Sequence, residues 1–362
     1  MRRYLFVSVL LYSLSFPSFA QNGILVKDLE IKPELGGYLY GLAVDQKGNI
    51  YVSDVLTYNI KFYSPDGALV ELIGRKGKGP GEFLNPKSLG IINNQLYVFD
   101  NKLLRISIFK LGKRVELKKT INLSLTETSK DNYITPNSIL FESSKRFYGI
   151  YSNGYSQRNL SEKHLATLKI INEEGKIVND SVLTVPDQQF LVTRSGGGFM
   201  VGPLPFGRKP IFVKGKQGSF YYGNTNKLEI KQYSKKGTIK SKYTAKPNRI
   251  NVTKKDLKDE IIRSHASPSQ VQRASSENVP KTFPAFSWFV VDDQARVWVA
   301  VNTKDRENYS LFIFKNDRDL WQKTKIPKSV ELKAIKNGYA YGIKKGKKEI
   351  QYVVRYKVKG LN

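Results

Sequence analysis

One unit recurs along this chain, and a recurrence of that size leaves few folds open. Its clearest copy is Gly41-Leu42-Ala43-Val44-Asp45-Gln46-Lys47-Gly48-Asn49-Ile50-Tyr51-Val52-Ser53-Asp54, continued through Asn59-Ile60-Lys61-Phe62-Tyr63-Ser64-Pro65-Asp66-Gly67 to Gly74. Short β-rich runs alternate with turn signals, Gly supplying positive φ and Pro65 presetting its turn. The expected product is a meander of four short antiparallel strands. Such a sheet cannot cover its own apolar faces, so copies must stack on one another.

An apolar or small residue followed by an aromatic marks the second strand of each copy: Ile50-Tyr51, Leu96-Tyr97, Phe147-Tyr148, Phe220-Tyr221, Val297-Trp298 and Ala340-Tyr341. Successive aromatics stand 46, 51, 73, 77 and 43 residues apart. Three intervals fit a propeller blade of about 40–50 residues, and the longer two imply insertions. Each marker is followed by a third strand: Ile60–Ser64, Leu104–Lys110, Leu165–Ile171, Leu228–Tyr233, Leu311–Phe314 and Ile350–Tyr356. After the sixth the chain ends without a fourth strand. The unpartnered run Ile24–Ile31 ahead of the first copy can supply it. The expectation is an all-β, six-bladed β-propeller whose ring is closed by an N-terminal strand completing the last blade, which removes the open edges.

Insertions are expected at 185–209, with Ser195-Gly196-Gly197-Gly198 and Pro203-Leu204-Pro205 as loop signals, and at 246–284. In the second, Thr253 followed by Asp256 and the stripe Leu257, Ile261 and Ile262 predict a short helix.

With these residues in view, the chain resembles NHL-repeat proteins and the wider group of secreted, TolB-like six-bladed propellers. The resemblance is closest over Gly41 to Pro86, where Arg75-Lys76-Gly77-Lys78-Gly79-Pro80-Gly81-Glu82-Phe83 matches the linker between repeats. It implies a binding module that recognises protein or RNA, or a lyase or hydrolase, and does not choose between them.

Met1-Arg2-Arg3, the apolar run Tyr4 to Phe16 and Ser18-Phe19-Ala20 have the layout of a secretory signal, placing the signal at 1–20 and the mature domain at 21–362. The run is shorter than the roughly 20 residues a spanning helix needs. A periplasmic or secreted protein without a transmembrane segment is expected. The absence of cysteine excludes disulfides and a lipidated cysteine. Sixty Lys and Arg against 31 Asp and Glu give a net charge of +29, a field that attracts polyanions.

Catalytic constellations are sparse. Only His164 and His265 are present, too few for a histidine-liganded metal site. A divalent cation near the axis, as in lactonase-like enzymes, would draw on Asp54, Asp100 and Asp292. For Asp54 and Asp100, which directly follow second strands, the favoured role is accepting hydrogen bonds from turn backbone. No cofactor is expected. In a propeller, the turns between second and third strands share one face with the connections between blades. That face would gather the binding candidates Arg75, Lys76, Lys78, Tyr58, Arg158, Arg194 and Arg208, with Lys102, Lys163, Lys209, Lys304, Arg306, Tyr155, Phe206 and Tyr309. Arginine forks beside aromatic rings suit carboxylate or sulfate groups. The expected partner is a protein or an acidic polysaccharide; nucleic acid is disfavoured for an exported chain.

Overall fold

The computed structural model describes residues 24–32, 37–124, 126–129, 132–152, 164–195, 198–263, 279–315, 319–346 and 350–361. Six four-stranded antiparallel sheets account for most of them. Blade one is Leu39–Val44, Ile50–Asp54, Asn59–Tyr63 and Leu69–Ile73, and blade two is Pro86–Ile92, Gln95–Asp100, Arg105–Lys110 and Glu116–Asn122. Blade three is Pro136–Ser143, Arg146–Ser152, Leu165–Asn172 and Ile177–Pro186, and blade four is Pro210–Lys214, Phe220–Asn224, Glu229–Tyr233 and Ile239–Thr244. Blade five is Phe286–Val291, Val297–Val301, Asn308–Phe314 and Leu320–Pro327. Blade six takes Val330–Lys336, Tyr339–Lys345 and Gln351–Val358 from the end of the chain. Its outermost strand is Leu25–Ile31, antiparallel to Gln351–Val358 with Leu25 opposite Val358 and Ile31 opposite Val353. The first strand of each blade touches the first strands of both neighbours, and that of blade six touches that of blade one. The sheets therefore stand in a closed ring with their first strands innermost.

The marker aromatics explain why the ring packs. Tyr51, Tyr97, Tyr148, Tyr221, Trp298 and Tyr341 are all 1% exposed or less. Each belongs to a different apolar cluster. Every cluster joins side chains of two adjacent blades, so the periodic aromatic is the piece each blade inserts against the next. Burying a large ring fully contributes roughly 1.5–3 kcal/mol, and its polar atom needs a partner. The Tyr148 hydroxyl donates to the Gly218 carbonyl at 2.7 Å, and Trp298 Nε1 donates to Asp292 Oδ2 at 2.9 Å.

The insertions are more ordered than loop signals imply. Val185 and Pro186 finish the last strand of blade three, and Phe190–Ser195 pairs with Gly198–Pro203 as a hairpin. A second hairpin, Thr126–Ser129 with Asn132–Ile134, sits between blades two and three, where the sequence gave no warning. The helix spans Lys254–Arg263, with Thr253 and Asp256 bonded reciprocally through backbone and side chain. No helix among the described residues is long and apolar enough to cross a membrane.

Candidate functional site

One rim of the ring, here called the upper face, carries the turns from second to third strands and the connections between blades. Short turns joining first to second and third to fourth strands form the lower face. At the end of the second strand, Asp54 and Asp100 are fully buried. Asp54 Oδ1 accepts from the backbone of Tyr38, Leu56 and Thr57, and Oδ2 from Lys61 Nζ at 2.7 Å. Asp100 accepts four backbone N–H groups, those of Leu84, Asn85, Lys102 and Leu103. Desolvation would raise the Asp54 pKa, but Lys61 and these donors hold it below the ordinary carboxylate value. Asp292 does not join them. It lies in the first turn of blade five on the lower face, bonded to Arg296 and Trp298. Among the described residues, no group of three His, Asp or Glu side chains is placed to hold a metal ion. His164 is half-buried at the entry to the third strand of blade three, rather than exposed; His265 lies outside the described residues.

The basic candidates separate into two groups on opposite sides of the ring. Between blades one and two, the connection Gly74 to Phe83 is tied from below by Arg105, itself only 8% exposed. The Arg105 guanidinium donates to the carbonyls of Lys78, Gly79 and Glu82 at 2.6–2.8 Å. Glu82 accepts from the Gly79 N–H and from Arg75 Nε. Gly74 has φ +79, and an added Cβ would stand 2.6 Å from the Gly81 carbonyl, so the sharp entry requires glycine. Arg75, Lys76 and Lys78 are left exposed on this rigid loop. Lys76 Nζ sits 5.1 Å from the centroid of the Tyr58 ring, and Tyr58 holds a left-handed φ of 58. Leu104 holds the corresponding place in blade two at φ 50.

Arg208 belongs to the other side and is committed to structure. Its guanidinium donates to Phe206 O, Thr282 O and Thr282 Oγ1, tying the two long insertions together. Desolvation, followed by the nearby Arg249, pushes its pKa down. Phe206 meets Phe283 edge-on at 4.7 Å, and Arg306 caps Phe283 at 5.2 Å while pairing with Asp256 at 2.9 Å. Arg194 is in the Phe190–Ser195 hairpin strand, opposite Phe199. Arg158, Tyr155 and Lys163 lie outside the described residues.

Between the two groups is an axial mouth that sequence reasoning missed. The first residues of the inner strands, Leu39, Pro86, Pro136, Pro210, Phe286 and Val330, are in register with Asp54, Asp100, Tyr151, Asn224, Val301 and Lys344. The next residues, Tyr40, Lys87, Asn137, Ile211, Ser287 and Glu331, therefore form one ring. Pairing is irregular directly after the first residue in blades one, two, three and five, and at Lys333 in blade six. Bulges of this kind re-aim side chains. Lys87 Nζ lies 5.2 Å from the Tyr40 centroid, and Lys333 Nζ bonds Glu331 Oε1 at 2.7 Å. Lys209, at the entrance to blade four, acts electrostatically on Glu331 of blade six. Blade five separates those two in the ring, so their interaction crosses the axial opening. Lys209 is exposed and yet desolvation pushes its pKa down, as expected in a water-filled recess walled by protein.

Comparison with known proteins agrees with this architecture. A family described as 6-bladed beta-propeller matches residues 39–181. No curated protein sequence matches the chain. Among solved structures, an exported-type protein of Bacteroides fragilis is 12% identical over 93% of this chain and 94% of its own, with a TM-score of 0.51. A member of the duf4221 family from Bacteroides vulgatus is 12% identical over 93% and 98%, with a TM-score of 0.50. A streptogramin B lyase is 11% identical over 90% and 96%, with a TM-score of 0.47. At these identities the likeness establishes the fold: an all-β six-bladed propeller.

Proposed function

We propose that this protein is an exported, non-catalytic binding propeller that holds an acidic protein or polysaccharide on its upper face. The observation that carries the reading is the locked connection from Gly74 to Phe83. Arg105 and Glu82 fix its backbone from within, while Arg75, Lys76 and Lys78 stand outward beside Tyr58. A cationic loop fixed before binding loses little entropy on meeting an anionic surface. Export rests on the charged, apolar and small-residue order of residues 1–20, and the exported-type protein of similar fold is compatible with it.

The alternative is a lactonase-like hydrolase or lyase using a divalent cation near the axis. The donor set at the mouth does not fit that ion: Lys87, Lys209, Lys333 and Lys345 surround a single carboxylate, Glu331. Ammonium groups repel a cation, and Asp54 and Asp100 are already saturated by backbone donors.

Retention on immobilised polygalacturonate, followed as salt is raised, tests the reading. Affinity should fall by about tenfold or more between roughly 50 and 200 mM salt, because exposed charge contacts are screened and counterions are released. Absence of retention at low salt, or retention indifferent to salt, contradicts it.

A further inference from the structure

The axial mouth differs from the exposed loops in being concave, shared by several blades and internally neutralised by one acid. Tyr40 of blade one touches Lys87 of blade two and also feels Glu331 of blade six, so it bridges both neighbours across the inner ring. Glu331 pairs directly with Lys333 and is acted on by Lys209 and Lys345. Desolvation works to raise the Glu331 pKa, and the three lysines together hold it low. Lys87 experiences desolvation as well, which pushes it down. Asn137 and Ser287 add an amide and a hydroxyl to the same ring. Four ammonium groups and one carboxylate leave an excess positive charge in a recess with low-dielectric walls, where fields concentrate.

We propose that this mouth is a binding site for one compact oxyanion, a carboxylate or sulfate carried by an acidic chain. Lys87, Lys209, Lys333 and Lys345 form its cationic wall, and Glu331 is a built-in counter-charge that the incoming anion replaces. The proposal rests on the upper-face reading for the source of the anion; the recess itself stands apart from the Arg75 loop. Glu331 gives the empty site a partner for Lys333, so the lysines are not left in mutual repulsion. An entering oxyanion takes over that pairing, and the Glu331 side chain, half-exposed at 50%, can turn to solvent. Lysines act here as point charges with rotatable donors, so carboxylate and sulfate share the site.

Calorimetric titration of the full mature chain with trigalacturonate and, separately, with inorganic sulfate tests this. Both should bind one to one. Lys87→Gln with Lys209→Gln should weaken binding about tenfold, the loss expected when two ammonium contacts in a recess are removed. Glu331→Gln should tighten it by about threefold, because the competing carboxylate is gone. Lys113→Gln with Lys236→Gln, on the lower face, should change nothing, and unchanged melting temperatures establish that each variant is folded. Binding of sulfate without trigalacturonate overturns the chain-borne source. Equal affinity in all variants, or weaker binding in Glu331→Gln, overturns the site. Lys76→Glu with Lys78→Glu separates the two proposals: it should abolish retention on the polymer while leaving the trimer titration intact.

Discussion

The two faces of the ring are made from the same strands and follow opposite rules. On the lower face, third and fourth strands are joined by near-identical turns. Gly67, Gly175 and Gly237 have φ of 92, 83 and 82, and each donates its N–H to the carbonyl three residues earlier, on Ser64, Asn172 and Ser234. Asp45 and Asp292 organise first turns in the same manner, each accepting two backbone N–H groups within four residues. The upper face has no common connection. One link is locked by a buried arginine, another is a hairpin, and a third contains a helix. Local residue chemistry therefore suffices to close a blade, whereas the face available to a partner is held by contacts distant in sequence, such as Arg208 to Thr282.

Several perturbations probe this contrast, beginning with the largest. Removing residues 21–32 strips the outer strand from blade six and exposes the Gln351–Val358 edge. The melting temperature should fall by more than about ten degrees, or the protein should aggregate. An unchanged melting curve would mean the ring does not depend on that strand.

Asp54→Ala comes next. It leaves three backbone N–H groups and the buried Lys61 ammonium without their acceptor, a loss of about 3–5 kcal/mol in chemical unfolding. Because the folded Asp54 pKa is lowered, its stabilisation is present above the unfolded carboxylate value and disappears as pH falls through the folded one. The deficit of the variant should therefore be full near neutral pH and shrink in acid.

Arg105→Met should cost about 2–3 kcal/mol by orphaning the carbonyls of Lys78, Gly79 and Glu82, and it should also weaken polyanion retention although Arg105 touches no partner. Loss of stability with undiminished retention would show that the loop needs no fixing.

The smallest effect belongs to Glu229. Lys242, against opposing desolvation and with help from Lys227 and Lys231, lowers its pKa from the ordinary 4.5 to about 2. Glu229→Gln should melt one or two degrees lower near neutral pH, by roughly the worth of a surface ion network. That difference should close as pH falls from about 4.5 toward about 2.

Blade number, the six aromatic markers and the structural role of Asp54 and Asp100 were legible because each depends on a period or on neighbours within a few residues. Tyr51 and its five counterparts announce themselves by recurrence and prove to be the wedges between blades. The axial mouth was not legible. Its ring positions hold Tyr40, Lys87, Asn137, Ile211, Ser287 and Glu331, six different residue types with no shared signature. Only the register of each inner strand against the second strand identifies them as equivalent. Arg208 misled for a related reason: its basic loop context resembles that of Arg75, but the chain folds an acceptor, Thr282, onto it from another insertion.

The most direct test of the upper face as the binding surface is a comparison of two charge reversals in polygalacturonate affinity at one fixed low salt concentration. Lys76→Glu with Lys78→Glu alters the locked upper loop, and Lys113→Glu with Lys236→Glu alters two lower turns by the same charge. All four lysines are exposed, so neither pair carries a packing penalty. The upper pair should reduce affinity by about tenfold or more and the lower pair by no more than about twofold, since only contacts made with the polyanion release counterions. Equal losses from the two pairs would contradict the account, leaving a uniformly basic ring with no privileged face.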